Sequence, residues 1–318
     1  MRVTIVGTGQ MAVMCARLLC DNGHDVSLLG RRETIEQMRQ TGRSRQLSEV
    51  TLPDVRLTSD FEAATQQLDV AVMAVPTQQT RALVDQLSDS GRPVVSCAKG
   101  IELSTNLRPS QLLGRRPVAV LSGPNIAGEV VARKAAGAVV ACEDQGVAEQ
   151  VRDLFATDYF RVYTSDDVVG VELAGATKNI IAIAAGIVDG LDLGNNAKAA
   201  LITRGLVEIT RLGESMGARP DTFAGLAGMG DLITTCFSPE GRNRRFGEHL
   251  GRGMSTDEAL AKLGSVCEGV PTTKAVAGIA RKRGVEMPIT HSVAGILFDG
   301  VDPREALGRL MRREPKPE

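Results

Sequence analysis

Tryptophan is absent from this 318-residue chain, and two tyrosines and seven phenylalanines carry all of its aromatic content. So few aromatic platforms argue against a protein that grips single-stranded nucleic acid by stacking its bases. An excess of either charge is also lacking: 37 Lys and Arg stand against 38 Asp and Glu, a net charge of −1. That balance argues against a protein built around nucleic acid or an anionic membrane, yet leaves room for a local basic cluster that binds a small anion. The six cysteines (Cys15, Cys20, Cys97, Cys142, Cys236 and Cys267) contain no C-x-x-C pair. They lie among apolar or small residues and read as buried free thiols of a reducing compartment. His24, His249 and His291 are too scattered for a metal-ligand spacing, so no metal is expected. The longest unbroken apolar run, 180–188, is too short to span a bilayer. No signal-like segment precedes the strand pattern at 2–6, and a cytoplasmic location is the expectation.

Glycine is abundant, at 34 residues, which suggests tight turns and close approach of backbone to a ligand. The two halves of the chain follow different patterns. In the first, short Val- and Leu-rich runs at 2–6, 25–29, 55–58, 69–75 and 92–97 alternate with helical patterns at 11–21, 34–40 and 77–87. Runs at 118–122 and 136–142 continue the sheet. Buried strands alternating with helices predict a parallel sheet covered on both faces. Right-handed crossovers make it doubly wound. In the second half, helical patterns follow one another at 168–190, 196–217, 242–250, 256–263, 271–284, 289–298 and 303–312, punctuated by Asn195, Pro220, Ser255, Pro271, Pro288 and Pro303. The residues after 311 read as a frayed polar tail. The expected fold is therefore α/β: a doubly wound (Rossmann-like) N-terminal domain over 1–166 and an all-α C-terminal domain over 167–318.

The first strand leads into Gly7-Thr8-Gly9-Gln10-Met11-Ala12, a dinucleotide fingerprint with alanine in its third small position. Gly7 makes the turn, Gly9 admits the pyrophosphate, and Ala12 lets the helix pack close to the strand. The helix N-terminus then faces the phosphate charge. At the end of the second strand, where an acid often takes the ribose 2′-hydroxyl, stand Arg31 and Arg32. Two guanidinium groups there favour a 2′-phosphate and hence NADP; the other reading is a pair of solvated charges at a helix start.

The run 168–188, VVGVELAGATKNIIAIAAGIV, sets one lysine, Lys178, in an apolar helix of small residues. Its helical neighbours are Ala174, Gly175, Ile181, Ala182 and Ala185, a face that leaves space beside the ammonium. An unpaired buried ammonium costs several kcal/mol, so such a lysine is either paired and functional or snorkels to water. Reduction of a carbonyl builds negative charge on its oxygen, and a nearby ammonium both steadies that charge and supplies the proton.

Six segments, CAKGIE (97–102), LSGPNIAGE (121–129), GVELAGATKNIIAIAAGIVDG (170–190), NAKAALITRGL (196–206), GLAGMGDLITTC (225–236) and GRNRRFG (241–247), make the chain resemble the bacterial-type glycerol-3-phosphate dehydrogenases. The resemblance covers essentially the whole length. It implies interconversion of sn-glycerol 3-phosphate and dihydroxyacetone phosphate with NADP, the favoured cofactor, or NAD, supplying glycerol 3-phosphate for phospholipid synthesis. It makes Lys178 the proton donor and acceptor, Lys99 a second lysine at the reacting carbonyl that also meets the cofactor, and Asp231 a hydrogen-bonding partner within the site. Arg242 and Asn243 bind substrate phosphate, with Gly241 beside them, and Gly123 and Asn125 approach the substrate from the sheet. Gly7, Gly9, Gln10, Met11, Ala12, Arg31, Arg32, Ala127, Arg242, Val266 and Glu268 meet the cofactor. The implied partner is a small phosphorylated substrate, with no nucleic acid and no integral membrane segment, and a homodimer stays open.

Three departures stand out. Gln10, Met11 and Ala12 replace the family's small polar residue, aromatic and glycine, which reshapes the cover over the nicotinamide. Asn125 and Ile126 replace a hydroxyl residue and an aromatic, and Gly241 replaces a hydroxyl residue; both fall beside the substrate. Two other functions fit the same architecture: a related dehydrogenase of another hydroxy or keto acid, and a nucleotide-sensing relative without catalysis.

Overall fold

The computed structural model describes residues 1–66, 68–84, 86–87, 91–114 and 116–314. They form two compact units, one of Met1–Lys99 with Leu107–Glu172 and one of Gly100–Asn106 with Leu173–Glu318.

The first unit is α/β. Its elements are β1 (Arg2–Val6), α1 (Gln10–Asp21), β2 (Asp25–Leu29), α2 (Arg32–Thr41), β3 (Arg43–Ser44), β4 (Leu47–Thr51), β5 (Arg56–Thr58), α3 (Phe61–Thr65) and β6 (Val70–Met73). They continue as α4 (Thr77–Val84), β7 (Val94–Ser96), α5 (Pro109–Leu113), β8 (Val118–Ser122), α6 (Ala127–Val131), β9 (Ala136–Ala141), α7 (Gln145–Phe155) and β10 (Phe160–Ser165). Eight strands make one sheet in the order β10-β9-β8-β7-β6-β1-β2-β5, and β3 with β4 forms a separate hairpin. The two-residue period sends Val3, Ile5, Val70 and Val72 into a core shared with Val13, Cys15 and Leu19 of α1. Val6, Ala71 and Met73 point into a second core on the opposite face. Burial on both faces is why these strands read as unbroken apolar runs.

The sheet departs from the expected parallel order at one step, because β8 pairs with β9 antiparallel. The link between them carries only the five-residue α6. A helix that short advances about 7 Å, too little to return the chain along a strand of about 16 Å, so it doubles back beside β8. β10 then joins β9 in parallel. Four strands, β5, β6, β7 and β9, are shorter than the apolar runs suggest, and β10 and the β3–β4 hairpin were not expected from the sequence. Of the helix expected over 77–87, Thr77–Val84 is helical and 86–87 is not; Asp85 lies outside the described residues, as do 315–318 of the expected polar tail.

In the second half, α8 (Val168–Gly190) is followed by α9 (Gly194–Ser215), α10 (Pro220–Ala224), a π-helical turn (Leu226–Gly230) and α11 (Asp231–Phe237). Then come α12 (Arg242–Gly251), α13 (Thr256–Leu263), α14 (Gly269–Arg283), α15 (Pro288–Phe298) and α16 (Pro303–Met311). Asp167 opens α8 by accepting the Gly170 amide on Oδ1 at 2.8 Å. Ser255 and Glu258 form a capping box on α13, and Pro288 and Pro303 occupy the first positions of their helices, where a missing N–H costs nothing. By length and composition α8 could cross a membrane, but its apolar stretch is wholly buried as a core helix. Backbone contact with α12 fixes it: a Cβ on Gly247 would overlap the Ile183 carbonyl, and one on Gly186 the Arg244 carbonyl. The 218–241 stretch, which carries no long apolar period, folds as α10, the π-turn and α11.

Candidate active site

Lys178 is 5% exposed, and its helical neighbours Ala174, Gly175, Ile181, Ala182 and Ala185 are all buried, so the side chain does not snorkel. The space beside its small-residue face is taken by α11. There Asp231 Oδ1 pairs with the ammonium, and Thr235 Oγ1 accepts a hydrogen bond from it at 2.7 Å. Asp231 itself is 2% exposed. Thr235 follows Asp231 by four residues, so both project from one helix face, and Thr235 Oγ1 lies 3.4 Å from the carboxylate. Thr235 is a site residue that sequence reasoning missed. The signal was the D-x-x-x-T spacing, which has meaning only once 231–237 is known to be helical. Cys236, on the same helix, is inert: burial pushes its thiol up to about 12 although Lys178 opposes the shift.

Arg242 and Asn243 start α12, with Gly241 as its N-cap. No side chain caps this end; a Cβ at Gly241 would stand 3.1 Å from the Thr235 carbonyl oxygen and 3.2 Å from that of Ser238. Arg242 is exposed and donates to the Val266 carbonyl at 3.1 Å, which brings two of the expected cofactor residues together. Glu268 is the N-cap residue of α14. Asn243 is buried and heavily engaged. It donates to Asn179 Oδ1 at 2.9 Å and accepts from the Gly269 amide at 3.0 Å and from the Cys267 thiol at 3.1 Å. It therefore ties α12 to α8 and α14, and Asn179 joins Thr235 among the residues the sequence did not reveal. Not all of the RNRR cluster is available for an anion, because Arg244 Nε is bound to Asp189 at 2.6 Å. Asp189 also takes the buried Lys198 at 2.9 Å.

Lys99 belongs to the α/β unit. It follows β7 and donates from Nζ to the Gly123 carbonyl and to Asn125 Oδ1, both at 3.2 Å. Gly123 has φ +146°, and a Cβ there would come within 2.8 Å of Ala138 Cα, so no side chain fits beside the lysine. Asn125, 7% exposed, is therefore a direct partner of Lys99. Ala127 is the first residue of α6 and is buried.

The dinucleotide loop fits the cofactor its sequence implies. Gly7 has φ +130°, and a Cβ on it would overlap the Ala74 carbonyl, so the backbone turns where only glycine passes. Gly9 is the N-cap of α1, Ala12 is fully buried, and Met11 is half-buried. The Gln10 amide meets an acceptor, Gln46 Oε1, at 3.3 Å, and the Gln10 side chain donates to the Gln46 carbonyl at 2.9 Å. The first amide of α1 therefore points away from its own helix and meets the Gln46 oxygen, which a phosphate oxygen would replace. Arg31 and Arg32 have different surroundings. Arg32 lies along α2, 84% exposed, and pairs with Glu36 at 3.5 Å. Arg31 is the exposed N-cap residue of α2 and makes no ion pair among the described residues. No cluster that could hold a metal occurs among the described residues.

Residues 2–148 match the family model for the N-terminus of NAD-dependent glycerol-3-phosphate dehydrogenase, and residues 167–308 match the model for its C-terminus. A glycerol-3-phosphate dehydrogenase (NAD(P)+) of Bacillus cereus is 46% identical over 330 residues, covering 100% of this chain and 97% of the relative. The protein of that name from Streptomyces coelicolor is 44% identical over 329 residues, covering 100% and 98%. The crystal structure of glycerol-3-phosphate dehydrogenase from Coxiella burnetii superimposes with a TM-score of 0.94 at 35% identity, covering 98% of this chain and 99% of that one.

Proposed function

The chain belongs to the NAD-dependent glycerol-3-phosphate dehydrogenase family, and from that membership we infer that it is an NAD(P)-dependent enzyme interconverting sn-glycerol 3-phosphate and dihydroxyacetone phosphate. The observation that carries the chemistry is a buried Lys178 held by Asp231 and Thr235. When bound, the nicotinamide supplies or accepts the hydride. Lys178 directs an N–H at the carbonyl oxygen, where negative charge grows during reduction, and delivers the proton that completes the alcohol. Asp231 offsets the ammonium charge, and Thr235 fixes its direction. Lys99, held by Gly123 and Asn125, serves as the second cation of the same reaction. Arg242 and the first amides of α12 receive the substrate phosphate, joined by Gly241 and by the second N–H of the Asn243 amide.

In this reading residues 1–166 bind the dinucleotide and residues 167–318 bind substrate. Gly7, Gly9, Gln10, Met11 and Ala12 hold the pyrophosphate side of the cofactor, Arg31 its 2′-phosphate, and Ala127, Val266 and Glu268 its remaining surface. The exposure of Arg31 supports NADP as the preferred form, whereas the Arg32–Glu36 pair supports a surface role for Arg32. The product feeds phospholipid synthesis in the cytoplasm, and the assembly is a homodimer, which sedimentation tests directly.

Oxidation of NADPH with dihydroxyacetone phosphate, compared with unphosphorylated dihydroxyacetone and a series of 2-keto acids, tests the assignment. The phosphorylated ketone should lead in kcat/KM by at least about tenfold to a hundredfold, the worth of a charge-assisted fork on a dianion. A keto acid in first place would point to the other dehydrogenase class. Tight NADPH binding with no turnover of any carbonyl would point to a sensor.

A further inference from the structure

Asp231 is aimed by an irregularity in the backbone. Immediately before α11 the chain makes a π-helical turn, Leu226–Gly230, in which the Gly230 amide bonds the Gly225 carbonyl at 3.1 Å, five residues back. Such a turn holds one residue more than an α-turn, and each residue rotates a helix by about 100°. Removing the extra residue would swing Asp231 and Thr235 together away from Lys178. The turn is also wedged in place. A Cβ on Gly228 would overlap the Phe223 carbonyl, so the two backbones touch there. Phe223 is fully buried, and its ring fills the space over Gly213 of α9, where a Cβ would strike it. Gly213, Phe223 and Gly228 therefore form a continuous packed path from the long helix α9 to the residue preceding Asp231 by three.

We propose that this π-turn, braced on Phe223, is a positioning device for the reaction: it sets the rotation of α11 that faces Asp231 and Thr235 onto Lys178. Gly213, Phe223 and Gly228 are positioning residues that touch neither substrate nor cofactor. The inference rests on the assignment of Lys178 under the proposed function, but its geometric core, the link from π-turn to ion pair, can be read without substrate. An ordinary α-turn at 226–230 would satisfy the same backbone N–H and C=O groups by bonds four residues back, so the extra residue has no evident purpose in the fold alone.

The test deletes Met229, whose side chain is 39% exposed, and compares the deletion with Met229→Ala, which keeps the residue count. Coupling between Lys178 and Asp231 is measured by a double-mutant cycle on chemical unfolding (Lys178→Met, Asp231→Asn and both) in the parent chain and in the deletion. The parent should show coupling of at least about tenfold in the folding equilibrium, and the deletion should show none. In parallel, turnover in the deletion should fall by about a hundredfold or more, with NADPH binding intact and no further loss on adding Asp231→Asn. Met229→Ala should behave like the parent in both measurements. If the deletion does not fold, Phe223→Leu, which keeps an apolar side chain but loosens the wedge, should lower both the coupling and turnover in part. Coupling that persists in the deletion, or losses that add to those of Asp231→Asn, would overturn the proposal. A parent that shows coupling but does not turn over dihydroxyacetone phosphate would remove only the functional assignment.

Discussion

Asp21 and Tyr159 share a hydrogen bond through which each shifts the titration of the other. Burial pushes the Asp21 carboxyl up, but two hydrogen bonds from Arg133, one from the Tyr159 hydroxyl at 2.7 Å and the charge of Arg17 outweigh it, leaving it below its ordinary 3.8. Burial, and then the bond to Asp21, raise the Tyr159 hydroxyl from 10.0 to about 12. A depressed carboxyl stabilises the fold above its unfolded value, and that stability is lost as pH falls through the folded one. A raised phenol stabilises the fold fully below 10.0, and this is lost as pH rises from there towards about 12. Tyr159→Phe should therefore flatten the alkaline decline in melting temperature and shallow the acid one; identical profiles for parent and variant would contradict the assignment. Arg31 carries a second expectation at this scale. If it reads the 2′-phosphate, Arg31→Gln should lower the kcat/KM preference for NADPH over NADH by about tenfold or more, while Arg32→Gln leaves the ratio unchanged. Equal losses with both cofactors would make Arg31 a solvated charge. The sequence made Lys178 legible because an ammonium amid small apolar residues conflicts with burial unless it is paired. Thr235 and Asn179 were not legible, since each gains its role from a partner more than fifty residues away.

Helices α8 and α12 depend on their glycines for contact. Gly186 and Gly190 on one, and Gly247 and Gly251 on the other, bring backbone to backbone, and each position would clash with a carbonyl if it gained a methyl group. This approach lets Asn243 reach Asn179 and places Arg242 at an exposed helix start. Gly247→Ala should destabilise the chain by about 3 kcal/mol or more, at the upper end of overpacking, because rigid backbone rather than a flexible side chain must move. Chemical unfolding measures this, and a loss below about 1 kcal/mol would show that the helices separate easily. Elements with a strong period were readable: α8 and α13 match their expected spans, and the buried strands announced themselves by unbroken valine and leucine. β10 was overlooked because the strands of the α/β half were recognised by unbroken apolar runs, whereas this edge strand alternates buried with exposed positions and leaves Tyr163 46% exposed. The π-turn and α11 were hidden by the glycines of LAGMG, which read as loop until tertiary packing on Phe223 holds them in a helix.

At the scale of the whole molecule, composition and motif order anticipated more than local pattern did. An α/β half that opens on a dinucleotide loop and a helical half that buries a lysine were both visible in the sequence, and the family models match one segment in each half. The antiparallel turn into β9 was not visible, because strand direction depends on the length of the connecting helix rather than on the strand itself. We propose that the ammonium of Lys178, held by Asp231 and Thr235, is the proton donor of the reaction. Lys178→Met retains the length and apolar bulk of the stem while removing the charge, so the fold and the dinucleotide loop should survive. The most direct measurement takes one folded sample of this variant and records both NADPH binding, by cofactor fluorescence, and turnover of dihydroxyacetone phosphate. Binding should equal that of the parent, while turnover falls by ~10²–10⁴-fold, the range of a lost general acid. A variant that binds NADPH and still turns over at the parent rate would contradict the account and transfer the proton to another group, with Lys99 the first to examine.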